Sequence, residues 1–168
     1  VVILPNNKNI IPVAEQLDAL TSKRVLVVPT RSMPEALAAL VVYDPEADVQ
    51  ANAEEMTDAA SSVATGEVTQ AVRATASPAG QIDEGDWIGL VRGDGIVAVG
   101  PTVEQVSIEL LGQLVGPGRE IVTIVTGADA AVVSTDAIAA WLHDQLPQVQ
   151  VEIHHGGQPL YPFLFGVE

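Results

Sequence analysis

Val25-Leu26-Val27-Val28-Pro29-Thr30-Arg31-Ser32-Met33-Pro34-Glu35 is the stretch that decides the fold. Four consecutive apolar residues read as a strand covered on both faces. Ser32 followed three residues later by Glu35 fits a capping box, with Ser32 at the N-cap and Pro34 tolerated in the first turn. The helix predicted from there runs through about Leu40. Upstream, Val1-Val2-Ile3-Leu4 is another short apolar run, and Ile10, Val13, Leu17 and Leu20 recur at helical spacing. Strand, helix, strand, helix is the rhythm of a βαβ unit with parallel strands.

Downstream, Asp44-Pro45 is expected to open a longer helix, with Val49, Ala53, Met56, Ala60 and Val63 on one face and Thr65-Gly66 as its stop. Residues 66–100 read differently. Partial alternation from Glu67 to Ala76 is followed by a turn at Ser77-Pro78-Ala79-Gly80. Trp87–Val91 and Ile96–Val99 then flank Arg92-Gly93-Asp94-Gly95, a hairpin by its Asp-Gly turn. This is an antiparallel meander, with Arg73 placed in a strand. The α/β rhythm returns with a helix from Pro101-Thr102 broken at Gly116-Pro117-Gly118, then a strand from Ile121 to Val125. A helix capped by Ser134 or Thr135 stops at Pro147. Strands at Val149–Ile153 and Phe163–Val167 complete the chain. The fold class expected is α/β, a mixed sheet with parallel βαβ units plus a meander at about 66–100. The expected organisation is one domain over 1–168, with α/β parts at 1–65 and 101–168 around the meander. Val1 starts inside a strand with no initiator Met before it, so the chain is expected to be a fragment of a longer protein.

Charge narrows the function. The chain has 22 acidic residues against seven basic ones, for a net charge of −15. Nucleic acid and anionic membrane surfaces are repelled by such a field. There is no cysteine, hence no disulfide, thiol nucleophile or cysteine zinc site. No apolar run nears the roughly 20 residues that span a bilayer, and no signal peptide is visible, so the expected compartment is the cytoplasm.

In an open α/β sheet, ligands bind outside the carboxyl ends of the strands. Those loops here are Pro5-Asn6-Asn7-Lys8-Asn9, Pro29-Thr30-Arg31-Ser32, Thr126-Gly127-Ala128-Asp129 and His154-His155-Gly156-Gly157-Gln158-Pro159. Two of the seven cations, Lys8 and Arg31, fall in the first two. Asn and Ser are ordinary helix caps, yet three Asn and one Lys in four residues exceed what a cap requires. Asn6, Asn7, Lys8, Asn9, Thr30, Arg31 and Ser32 form the candidate ledge. Adjacent His154 and His155 on an extended segment point to opposite faces, which argues against one shared metal ion. Gly156-Gly157 permits a tight turn, and Gln158-Pro159-Leu160-Tyr161 a chain crossing. Trp87 and Trp141 read as core or interface, and Asp83-Glu84-Gly85-Asp86 as a solvated turn. A Walker-type phosphate loop, a nucleophile elbow, a Gly-x-Gly-x-x-Gly turn and an Asp cluster for magnesium are all absent. Together these absences favour a domain without catalysis of its own.

Several of these loops resemble one family. Ile3-Leu4-Pro5-Asn6-Asn7-Lys8-Asn9-Ile10, Val27-Val28-Pro29-Thr30-Arg31-Ser32-Met33-Pro34 and His155-Gly156-Gly157-Gln158-Pro159-Leu160-Tyr161-Pro162 look like the C-terminal region of bacterial fatty acid kinase. That protein is also called dihydroxyacetone-kinase-like protein or Dak phosphatase. Thr65–Arg73 and Glu84–Gly89 fit the same pattern, in order. The Asn-Asn-Lys-Asn and Gly-Gly-Gln-Pro segments are its specific parts, which adds Gly157 and Gln158 to the candidate site. The resemblance implies a DegV-like fold and an N-terminal kinase domain that holds ATP and magnesium, with no cofactor in the present region. It also implies a separate fatty-acid-binding protein of the DegV family that presents the acyl carboxylate for phosphorylation, and a role in lipid metabolism. A Gly-Gly-Gln-Thr-Met-Asn-Pro-type segment that the family carries just upstream is not in this sequence. Two functions follow. One is an accessory domain that engages the fatty-acid-binding partner. The other is a phosphate- or small-molecule-binding enzyme domain, a Dak-type kinase or phosphatase, using helix N-termini on the ledge. The oligomeric state is left open, a homodimer included.

Overall fold

The apolar runs read as parallel strands do pair in parallel, but they do so in two separate sheets. The computed structural model describes residues 1–168. The chain divides into two compact units, Val1–Val63 and Ala64–Glu168.

The first unit is built on two strands of two residues each. β1 (Val2–Ile3) and β2 (Leu26–Val27) run parallel, Val2 opposite Leu26 and Ile3 opposite Val27. The helix expected across Ile10 to Leu20 does not form. A four-residue helix, α1 (Ile11–Ala14), and a 3-10 turn at Leu17–Leu20 stand in its place. Ile10, Val13, Leu17 and Leu20 are all exposed, Leu20 at 78%. The Asp18 carboxylate oxygen accepts from the Val25 backbone N–H at 2.8 Å. That side-chain bond turns the chain toward β2 in place of a longer helical ladder.

α2 (Met33–Val41) begins where the capping box predicts. α3 (Val49–Ser62) starts later than Asp44-Pro45, with Asp48 as its cap. The Asn52 amide explains the delay: it accepts from the Asp44 N–H and donates to the Asp44 carbonyl, holding that segment as a turn. Ala53, Met56 and Ala60 on α3 pack with Val28 and Ala39 to make this unit's core.

The second unit carries a six-stranded mixed sheet in the order β7-β6-β3-β10-β8-β9. Its strands are β3 (Ala64–Gln70), β6 (Trp87–Val91), β7 (Gly95–Gly100), β8 (Ile121–Thr126), β9 (Gln150–His155) and β10 (Phe163–Val167). Only β8 and β9 pair in parallel. β10 runs antiparallel to both β3 and β8, which joins the meander to the α/β part. A small hairpin of β4 (Thr75–Ser77) and β5 (Gly80–Ile82) stands apart as a two-stranded sheet. The β6–β7 connection spans residues 92–94, so Asp94 and Gly95 are not the paired centre of a two-residue turn.

Thr65 and Gly66 lie inside β3 and do not stop α3. A Cβ on Gly66 would come within 2.7 Å of Leu114 and 3.0 Å of Leu110, so glycine lets α4 (Val103–Leu114) sit against the strand. α5 (Val132–Gln145) has Ala131 at its N-cap, not Ser134 or Thr135. Those two hydroxyls are used inside the first turn: Ser134 donates to Glu104 and Thr135 to the Ala131 carbonyl. Val106, Leu110 and Leu111 of α4, Ile138 and Leu142 of α5, and Phe163 and Phe165 of β10 form the core. The two phenylalanine rings stack with centroids 6.0 Å apart. Trp87 and Trp141 pack against that core, as expected. No helix is long and apolar enough to cross a membrane.

Candidate functional site

The ledge is assembled within the first unit, where two loops leave β1 and β2 side by side. The Asn6 backbone N–H donates to the hydroxyl of fully buried Thr30 at 3.1 Å, which ties them together. Asn6 has φ +55°, a left-handed conformation that Asn tolerates better than most residues. Its side-chain oxygen is buried without a hydrogen-bond partner. The Asn7 side chain accepts from the Asn9 N–H at 2.8 Å, an ordinary local turn. Lys8, Asn9 and Arg31 are exposed.

The N-terminus of α2 is answered from within. The Ser32 hydroxyl accepts from the Glu35 N–H, and the Glu35 carboxylate accepts from the Arg31 N–H at 2.7 Å. Glu35 is only 1% exposed. A phosphate arriving at this helix end would have to displace the protein's own carboxyl group from the positive end of the helix. The ledge is therefore a polar surface with two cations, not an open anion cradle.

Gly157 and Gln158 lie in the second unit, at the carboxyl end of β8. Gly156 and Gly157 both donate their N–H groups to the Thr126 carbonyl, at 2.9 and 3.0 Å. The Gln158 amide nitrogen donates to the carbonyls of Val125 and Tyr161, each at 3.1 Å. Two acceptors fix the amide orientation, and its oxygen is left buried without a partner. Gly127 passes so close that an added Cβ would lie 2.3 Å from the Tyr161 carbonyl oxygen. The Gly-Gly-Gln-Pro segment thus pins a chain crossing. The two histidines have different neighbours: His155 Nδ1 lies 3.3 Å from the Thr126 hydroxyl, and His154 Nε2 lies 3.6 Å from Glu152.

The same end of the second unit holds a half-open cavity of about 610 Å³ that sequence reasoning missed. Ile82, Trp87, Ile88 and Pro162 give it apolar walls, and Thr69, Arg73, Asp129 and Tyr161 its polar ones. The size falls within the roughly 300–1,000 Å³ of ligand pockets. Arg73 is not in a strand: β3 ends at Gln70, and Arg73 lies in the loop before β4, on the cavity wall. Leu160 also lines it, with φ +70° and 73% exposure. A branched aliphatic residue in that conformation stores on the order of 1–3 kcal/mol of strain. The Thr69 hydroxyl holds it there by donating to the Leu160 carbonyl at 2.7 Å. Nothing in the residue pattern announces a left-handed leucine; the Ser77-Pro78-Ala79-Gly80 turn alone hinted that the chain leaves β3 early.

Two carboxyl groups of this unit titrate away from their usual range. Burial pushes the Glu67 carboxyl of β3 up. The Ser134 hydroxyl, with help from a backbone N–H and Thr102, holds the Glu104 carboxyl down, tying the first turns of α4 and α5 together.

The whole chain, residues 1–168, matches the FakA-like C-terminal family, the C-terminal part of fatty acid kinase proteins. Uncharacterized proteins of Staphylococcus aureus strains USA300 and NCTC 8325 are 37% identical over 167 residues, covering 99% of this chain and 30% of theirs. The chain thus spans less than a third of the length of those relatives. Among solved structures, dihydroxyacetone kinase from C. freundii in complex with AMP-PNP and Mg2+ superposes with a TM-score of 0.61 at 15% identity, covering 99% of this chain and 38% of that one. The native form gives 0.58 at 14% identity, with the same coverage. At such identities the likeness is one of fold. The family match over the full length decides membership: this chain belongs to the FakA-like C-terminal family of fatty acid kinase.

Proposed function

We propose that this chain is the accessory C-terminal part of a fatty acid kinase. It engages a fatty-acid-binding protein of the DegV family, so that a kinase part elsewhere in the parent protein phosphorylates the acyl carboxylate. The observation that carries this reading is the family match along all 168 residues. ATP and magnesium belong to that kinase part. The residues here do not suit them, since no three His, Asp or Glu side chains gather where a metal could sit. The chain acts in the cytoplasm, where acyl chains are activated. On the ledge, Lys8 and Arg31 meet acidic groups of the partner. The internally satisfied N-terminus of α2 favours this over the phosphate-binding enzyme reading.

Calorimetric titration of the chain with a DegV-family fatty-acid-binding protein tests the proposal. Association is expected, weakened by Lys8→Glu and by Arg31→Glu. No association at all would sink the reading, and affinity untouched by both substitutions would remove the ledge from the contact.

A further inference from the structure

The second unit spends conformational energy on an exposed side chain. Leu160 sits in the left-handed region, where aliphatic residues are rare, yet it stays 73% exposed and adds little to the core. Three bonds keep the segment in place: Thr69 to the Leu160 carbonyl, Gln158 to the Tyr161 carbonyl, and the Gly127 N–H to the Pro162 carbonyl. Local conflicts that the surroundings enforce gather at functional sites.

The neighbourhood agrees. Val72, 87% exposed, lines the same cavity as Leu160. Val132 and Val133, also exposed, follow Asp129 by three and four residues at the start of α5. Of the five exposed large apolar residues in this unit, only Ile153 lies elsewhere, on β9. A small molecule inside the cavity would leave the two α5 valines in water. An extended protein face covers them while one anchoring side chain fills the cavity, which is the anatomy of a binding hot spot. The rim supplies direction. Arg73 makes no ion pair, and Asp129 stands on the same cavity wall without a hydrogen-bond partner.

We propose that the cavity mouth around Leu160 is a second docking surface. It takes a protein partner that inserts one aliphatic side chain, with a carboxylate beside it for Arg73 and a cation for Asp129. This rests on the reading that the chain engages a protein partner. Leu160→Asn separates a docking role from a structural one, because Asn accepts the left-handed conformation and so relieves the strain. The expected result is an unfolding midpoint equal to or above the parent's, with affinity for the DegV-family fatty-acid-binding protein lowered about tenfold or more, as loss of a hot-spot side chain does. In a Trp141→Phe background, Trp87 on the cavity wall is the one remaining tryptophan of the chain. Its emission is expected to shift on adding the partner. Binding that Leu160→Asn and Val72→Asp both leave intact, or that leaves Trp87 silent, overturns this surface while the partner reading stands. Failure of the parent chain to bind overturns both.

Discussion

The two units of this chain solve the same packing problem with different materials. In the first, the core is Val28, Ala39, Ala53, Met56 and Ala60, mostly small side chains against two very short strands. Its larger aliphatics, Leu20, Leu40 and Val41 among them, are exposed, Val41 at 84%. In the second, Leu110, Leu111, Ile138, Leu142, Phe163 and Phe165 are wholly buried against a six-stranded sheet. Hydrophobic stabilisation follows buried apolar area, at roughly 25 cal/mol per Å². The second unit therefore holds the larger share of stability, and the first depends on caps and on one large side chain, Met56.

Four substitutions test that contrast. Phe165→Ala empties the centre of the larger core and is expected to cost about 3–5 kcal/mol, read by denaturant unfolding. A cost near 1 kcal/mol would mean that this core is loosely packed. Met56→Ala removes the main large side chain of the smaller core, at about 3 kcal/mol. Amide exchange should rise first in residues 1–63, and equal acceleration in β8 and β10 would break the division into separately held units. Ser32→Ala deletes the cap of α2 and is expected to cost about 1 kcal/mol.

Glu67→Gln gives the smallest effect and a distinct pH signature. Burial raises the Glu67 carboxyl in the folded state. As pH rises past the unfolded value, the unfolded chain loses its proton first, so the wild type loses stability until the folded carboxyl has also ionised. The glutamine variant should melt above the wild type at neutral pH, and the gap should close below the ordinary carboxylate range. A gap that stays constant down to pH 3 would assign the effect to packing.

The residue pattern foretold much of this. The capping box at Ser32 and Glu35 marks the start of α2, and unbroken apolar runs mark β2 and β8, because caps and burial on both faces are local demands written in local residues. Ile10, Val13, Leu17 and Leu20 misled, because helical spacing states only that a helix would be amphipathic, and a single bond from Asp18 to Val25 redirected the chain. Ser134 and Thr135 misled for the same kind of reason, since Glu104 and the Ala131 carbonyl took their hydroxyls.

By itself the sequence determined the strand-helix rhythm, the acidic field and the polar character of the Pro5–Asn9 loop. Each depends on residue type and on neighbours a few positions away. Tertiary structure decided that the parallel pairs form two sheets, that β10 lies between β3 and β8, and that Glu35 fills the end of its own helix. It also decided that Arg73, Asp129 and Leu160 meet around one cavity. Those outcomes depend on pairings across as many as 91 positions, such as Thr69 with Leu160. No local pattern encodes them, because the hydrogen bond that holds Leu160 in its strained posture exists only once both segments have been brought together.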